Sequence, residues 1–184
     1  MLPANAALVI IDLQRAIDHP RWAASGPRNN PEAERAIARL IAVWREAGRP
    51  IFHIRHESTH PGSTYAKDGP GSAFKPEAMP LPGEPVLAKQ VHSAFIGTDF
   101  ERRLRAAGIG TLVIAGVITN NSVEATVRMA SDLGFDVRLV EDACFTFARA
   151  DHAGRLRSAE EVHAMSLANM DGEYCIVTRA AALL

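Results

Sequence analysis

Residues 111–126, Thr-Leu-Val-Ile-Ala-Gly-Val-Ile-Thr-Asn-Asn-Ser-Val-Glu-Ala-Thr, constrain the fold more than any other stretch. Residues 112–115 form a short run of apolar and β-branched residues, the pattern of a strand buried on both faces. The run breaks at Gly116, passes through a polar turn at Thr119-Asn120-Asn121, and restarts at Ser122 with helical spacing. A buried strand that turns into a helix presents a side chain and free backbone N–H groups over the carboxyl end of a sheet. Ser122 is the side chain offered there.

The rest of the chain repeats this alternation. Apolar runs at 8–11, 51–54, 86–88, 137–140 and 174–177 read as further strands. Between them lie helical patterns. The first starts at Pro31, with Asn30 as the expected cap, carries Ile37, Leu40, Ile41 and Trp44 on one stripe, and closes at Gly48. Capping-box patterns at Thr98-Asp99-Phe100-Glu101 and Ser158-Ala159-Glu160-Glu161 open two more. Strands alternating with helices predict an α/β fold, a parallel sheet with helices on both faces, in a single domain over residues 1–184.

Composition narrows the function. The 184 residues carry a formal net charge of −1, which gives no electrostatic case for nucleic acid or an anionic membrane. No apolar run approaches membrane-spanning length, and no signal peptide is evident at the start. Cys144 and Cys175 match no metal or redox spacing and read as buried, reduced thiols of a cytoplasmic protein. The expected partner is a small-molecule substrate.

In a parallel sheet every strand points its carboxyl end the same way. Asp12, Lys89 and Ser122 each lie just past such an end, as do Arg55 and His56. A carboxylate, an ammonium and a hydroxyl therefore gather at one edge, the set that acyl transfer needs: nucleophile, base, and a cation to hold the base. Trp22, in the loop over 18–30, and Phe74 and Lys75, in the long Pro/Gly/Ser-rich loop over 58–85, are candidates to line the pocket. Thr119 joins them from the turn. Arg55 and His56 are candidates for a substrate carboxylate or carbonyl, with surface ion pairing to Glu57 or Asp68 as the other reading.

Asp12-Leu13-Gln14, Lys89 before Ser93-Ala94-Phe95, and residues 116–126 together resemble the isochorismatase-like hydrolases, the cysteine hydrolase superfamily. Gly97-Thr98, Gly134-Phe135 and Asp142-Ala143 fall where that family has them. The resemblance implies a Rossmann-like three-layer α/β/α sandwich with a six-stranded parallel sheet, assembled as a homodimer or homotetramer, with no cofactor. It implies Asp12 as base, Lys89 as its partner and residue 122 as nucleophile in an amide-cleaving site. It also implies a cis peptide between Val117 and Ile118, with the N–H groups of Ile118 and Ser122 as an oxyanion hole.

The departure is Ser122, where the family's amidases carry Cys. A thiol titrates near pH 8.5 and is readily ionised by a cation or a helix N-terminus, whereas an alcohol needs a base acting during attack. A carboxylate with a pKa near 4 is a weak base for that task; desolvation would raise Asp12 and Lys89 would oppose the rise. The serine reads as a working nucleophile, a natural replacement in a vinyl-ether hydrolase using Asp12 as acid, a laboratory exchange for Cys, or the mark of a binding protein. His53, His56 and His60 cluster beside Glu57, but the Asp-x-His pattern of the family's metal-binding members is absent, so no metal is expected.

Overall fold

In the computed structural model, which describes residues 2–184, six strands form one parallel sheet. They are β1 (Ala7–Ile11), β2 (Ile51–His56), β3 (Val86–Lys89), β4 (Thr111–Val117), β5 (Asp136–Phe145) and, after a two-stranded hairpin of β6 (Arg149–Ala150) and β7 (Leu156–Arg157), β8 (Ile176–Thr178). The spatial order is β3-β2-β1-β4-β5-β8. The chain builds outward from β1 to β3, then returns to the other side of β1 as β4. The switch point between β1 and β4 is where open parallel sheets form a crevice at their carboxyl ends.

Both sheet faces are covered. Alternation along β1 sends Leu8 and Ile10 into one core with Ile37, Leu40, Ile41 and Trp44 of α1 (Ala33–Glu46). It sends Val9 and Ile11 into a second core, with Phe100 and Leu104 of α2 (Phe100–Ala106) and Val127 of α3 (Glu124–Asp132). All five residues of β1 are buried, which is why its sequence is a continuous apolar run rather than an alternating one.

The capping expectations divide. Ser158 and Glu161 form the reciprocal capping box of α4 (Ala159–Ala168). Thr98 does not cap in that way; its hydroxyl donates to Ala94 O, and α2 starts at Phe100. Asn30 is likewise not the cap of α1, since its amide donates instead to Glu141 O and Cys144 O at 2.8 and 2.7 Å. A partly buried carbonyl left unpaired costs more than an uncapped helix end that faces water, so the longer-range bonds take the amide. The helix expected from Ser122 begins as a wider π-type turn, Thr119–Val123, before α3.

Candidate active site

The base of the crevice is set by backbone geometry. Asp12 follows β1 with a φ of 52°, a left-handed conformation that Asp tolerates better than most residues. It turns the chain away from the sheet and leaves the carboxylate over the strand ends. Beside it, β4 presses against β1 at Gly116, where a Cβ would sit 2.2 Å from Ile11 O. Only glycine allows that approach. The peptide joining Val117 to Ile118, directly after, is cis.

Lys89, the last residue of β3, is fully buried. Its ammonium lies 2.6 Å from Asp12 Oδ2, 3.2 Å from Val91 O and 3.3 Å from Ser122 Oγ. An ammonium has three protons, and each has an acceptor here. The Lys89–Asp12 pair survives burial because each ion satisfies the other at close range. Burial raises the Asp12 pKa above the ordinary carboxylate range, with Lys89 and the Ser122 hydroxyl pulling against the rise. Asp12 Oδ1 is buried and has no hydrogen-bond partner among the described residues.

Ser122 is held from behind. Its carbonyl accepts from Thr126 Oγ1 at 2.7 Å, and the same hydroxyl oxygen accepts from Ala94 N. The carbonyl of Ile118 takes the N–H groups of Asn121 and Val123. Thr146 Oγ1 donates to Asn120 Oδ1 at 2.6 Å. Thr119 Oγ1 meets His163 Nδ1 of α4 at 2.8 Å. Neither cysteine reaches this region: both are buried, outside the cavity, and burial pushes each thiol up to about 12.

A cavity of about 420 Å³ opens over these groups. Asp12, Ser122, Val117, Ile118, Trp22 and His56 line it, so the structure brings these candidates together. Lys89 lies beneath its floor, bonded to Asp12 and Ser122. Arg55, Phe74 and Thr119 do not line it. Arg55 sits 3.3 Å from Glu57 on the other side of β2. Phe74 packs its ring on His53 and pairs with Gln14 across an isolated bridge, so it pins the long loop to the segment after β1. Thr119 is fully buried behind the turn. Lys75 is likewise outside, between Asp18 and Glu34.

The histidines diverge. His53 Nε2 pairs with Glu84 Oε2 at 2.8 Å, under the long loop and away from the cavity. His56 and His60 line the cavity with His92. Burial, reinforced by Lys89, lowers the His56 pKa to about 4, so its ring is neutral at pH 7. Among the described residues, no group of three or more metal-ligating side chains is placed to hold an ion.

Comparison with known proteins decides what kind of molecule carries this site. The family pattern described as Isochorismatase domain matches residues 6–181. The chain belongs to the isochorismatase family of hydrolases. A crystal structure of a family protein from Chromobacterium violaceum is 58% identical and superposes with a TM-score of 0.95, covering 100% of this chain and 93% of that one. The uncharacterized family protein YrdC of Bacillus subtilis is 37% identical over 93% of this chain and 90% of its own length. Relatives named for an activity include streptothricin hydrolase of Streptomyces noursei, 34% identical over 96% of this chain and 63% of its own length. The ureidoacrylate amidohydrolase RutB of Azorhizobium caulinodans is 28% identical over 76% of this chain and 75% of its own length.

Several residues of this hydrolase's site carry no periodic signal in the sequence. Gln14 is fully buried; its amide donates to His56 O and Ser72 O, and its carbonyl accepts from His56 N at 2.7 Å. It fixes the end of β2 against the long loop. Tyr65 comes from that loop, donates its hydroxyl to Asp12 O at 3.1 Å, and meets Trp22 and His56 edge-on. A tyrosine in an aperiodic loop has no register to betray which way it faces. Position alone could have found Gln14: a polar residue three places after a buried strand needs partners wherever it is buried.

Proposed function

We propose that this hydrolase cleaves a small amide or related C–N bond, with Ser122 as nucleophile, Asp12 as base and Lys89 as the cation that joins them. The observation that carries this reading is the Lys89 ammonium, which donates to both Asp12 Oδ2 and Ser122 Oγ at the floor of the cavity. With its oxygen accepting from Lys89, the Ser122 hydroxyl keeps its own proton to give to Asp12. As that proton leaves, the ammonium stabilises the charge growing on the oxygen. Burial makes Asp12 a stronger base than an exposed carboxylate. Together these two effects supply what oxygen lacks relative to sulfur.

Attack forms the C–O bond to the substrate carbonyl, whose oxygen takes the negative charge against the N–H groups of Ile118 and Ser122. Collapse breaks the C–N bond, and the proton held by Asp12 goes to the departing nitrogen. A water then attacks the acyl-serine, giving one proton to Asp12; collapse breaks the C–O bond to Ser122, Asp12 returns that proton to the serine oxygen, and the acid product leaves. RutB, an amidohydrolase by name, supports an amide as the bond broken. Intact-mass measurement after reaction with an activated amide or ester should show an acyl adduct on Ser122. Ser122→Ala should lose about 10³-fold or more in kcat; full turnover by that variant would sink the reading.

One observation favours a second reading. Asp12 Oδ1 is buried without a partner among the described residues and the carboxyl pKa is raised, so the protonated form is within reach as an acid. Protonation of a vinyl ether by Asp12 would not require Ser122. In that case Ser122→Ala keeps most activity and Asp12→Asn abolishes it.

A further inference from the structure

A single fixed cation stands at the rim of the cavity. Arg21, on the short 3₁₀ turn Pro20–Ala23, is the only lysine or arginine among its lining residues. The guanidinium stacks over Trp22 at 5.2 Å and donates to Gly62 O at 3.3 Å, which bridges the two loops over the crevice. Among the described residues no carboxylate lies within ion-pair distance of it, unlike Lys89, whose charge Asp12 neutralises. Arg21 therefore keeps its full charge and most of its five N–H donors free at the exposed rim of the cavity.

Two hydroxyls add to it. Ser58 Oγ accepts from His60 N and Ser63 Oγ from Tyr65 N, each at 3.2 Å. Both serines line the cavity, and with their oxygens engaged each has an O–H to donate. Asp12 is the one carboxylate among the lining residues, and Lys89 already holds it at the floor. Ile17, Trp22 and Ile118 give an apolar wall between floor and rim.

Resting on the amidase reading, we infer that Arg21, with Ser58 and Ser63, is the recognition site for a substrate carboxylate, so that the substrate is a small carboxylate-bearing amide. The amide carbonyl sits at Ser122, a short apolar body passes Trp22, and the carboxylate ends at Arg21. A neutral amide of the same length leaves the guanidinium without its anion.

The test compares terminal monoamides of C4 to C6 dicarboxylates (succinamate, glutaramate and adipamate) with the matching neutral diamides. At least one monoamide should exceed its diamide in kcat/KM by about tenfold or more, a modest factor because Arg21 is exposed and screened. In Arg21→Gln that ratio should collapse toward one through KM, and Arg21→Lys should recover part of it. Equal use of monoamides and diamides by the native enzyme, or an unchanged ratio in Arg21→Gln, overturns the inference and leaves the amidase reading standing. A second arm measures binding of succinate, glutarate and adipate to Ser122→Ala by calorimetry. Binding lost in the Arg21→Gln, Ser122→Ala double variant supports the carboxylate site even where no amide is cleaved, which is the failure of the amidase reading alone. No Arg21-dependent binding at millimolar concentration, with no monoamide preference, overturns it.

Discussion

His163 Nδ1 lies 2.8 Å from Thr119 Oγ1, which ties α4 to the turn that carries Ser122. Both residues are buried, and burial lowers the His163 pKa, so the neutral ring makes this bond. His163→Ala leaves the Thr119 hydroxyl unpaired in the interior, at an expected cost of about 1–3 kcal/mol in stability. Because the turn positions Ser122, kcat should fall with little change in KM, and His163→Gln should recover part of both. Urea unfolding and steady-state kinetics on the two variants check this; a loss confined to stability would leave the turn positioned without His163.

Lys89→Met removes the one charge that, among the described residues, meets Asp12 at bonding distance. Breaking a buried pair from one side leaves an uncompensated ion, a change of about 3–5 kcal/mol. The expected result is a large drop in urea midpoint at pH 7 that shrinks toward pH 4. Removing Lys89 lets the Asp12 pKa rise further, and a protonated Asp12 no longer carries an uncompensated charge. A stability loss that does not vary with pH would show that Lys89 contributes by packing alone.

Asp12 should also set the acid side of the rate profile. Its pKa is raised by burial, against the pull of Lys89. As a base it must be ionised, so kcat/KM should fall as pH drops through a value above 3.8, the ordinary value for Asp. As an acid on a vinyl ether it must be protonated, and the rate would instead fall as pH rises through the same value. The direction of that limb separates the two chemistries without any variant.

Gly116→Ala places a methyl group 2.2 Å from Ile11 O, one residue before Asp12. The residue also holds a φ of 128°, which side chains other than hydrogen rarely adopt. Strand β1 or β4 must shift, and Asp12 shifts with it. We expect a folded but destabilised protein with kcat reduced at least about tenfold, the scale of a misplaced catalytic group. Circular dichroism alongside kinetics distinguishes displacement from unfolding.

Much of this arrangement is legible in the chain. Asp12, Lys89 and Ser122 each follow a strand of a parallel sheet, so sequence position alone puts them at one edge. Arg55 and His56 show where that reasoning stops. Both lie at the end of β2, but neighbouring strand residues face opposite ways, and only His56 reaches the cavity. Thr119 faces a histidine 44 positions later in the chain, so its hydroxyl serves the turn from behind rather than a ligand. Phe74 and Tyr65 share one aperiodic loop; one pins it down and the other lines the cavity.

The sequence by itself determined the layering, the strand ends and the residue types at them, because apolar runs and helical stripes are local patterns that burial enforces one element at a time. The tertiary structure decided which side chains meet. Lys89 reaches Asp12 across 77 positions because β3 and β1 flank β2, and Arg21 comes to the cavity rim because two loops meet over the crevice. Such contacts depend on the distance between strands and the direction of each turn, which no single stretch of residues encodes.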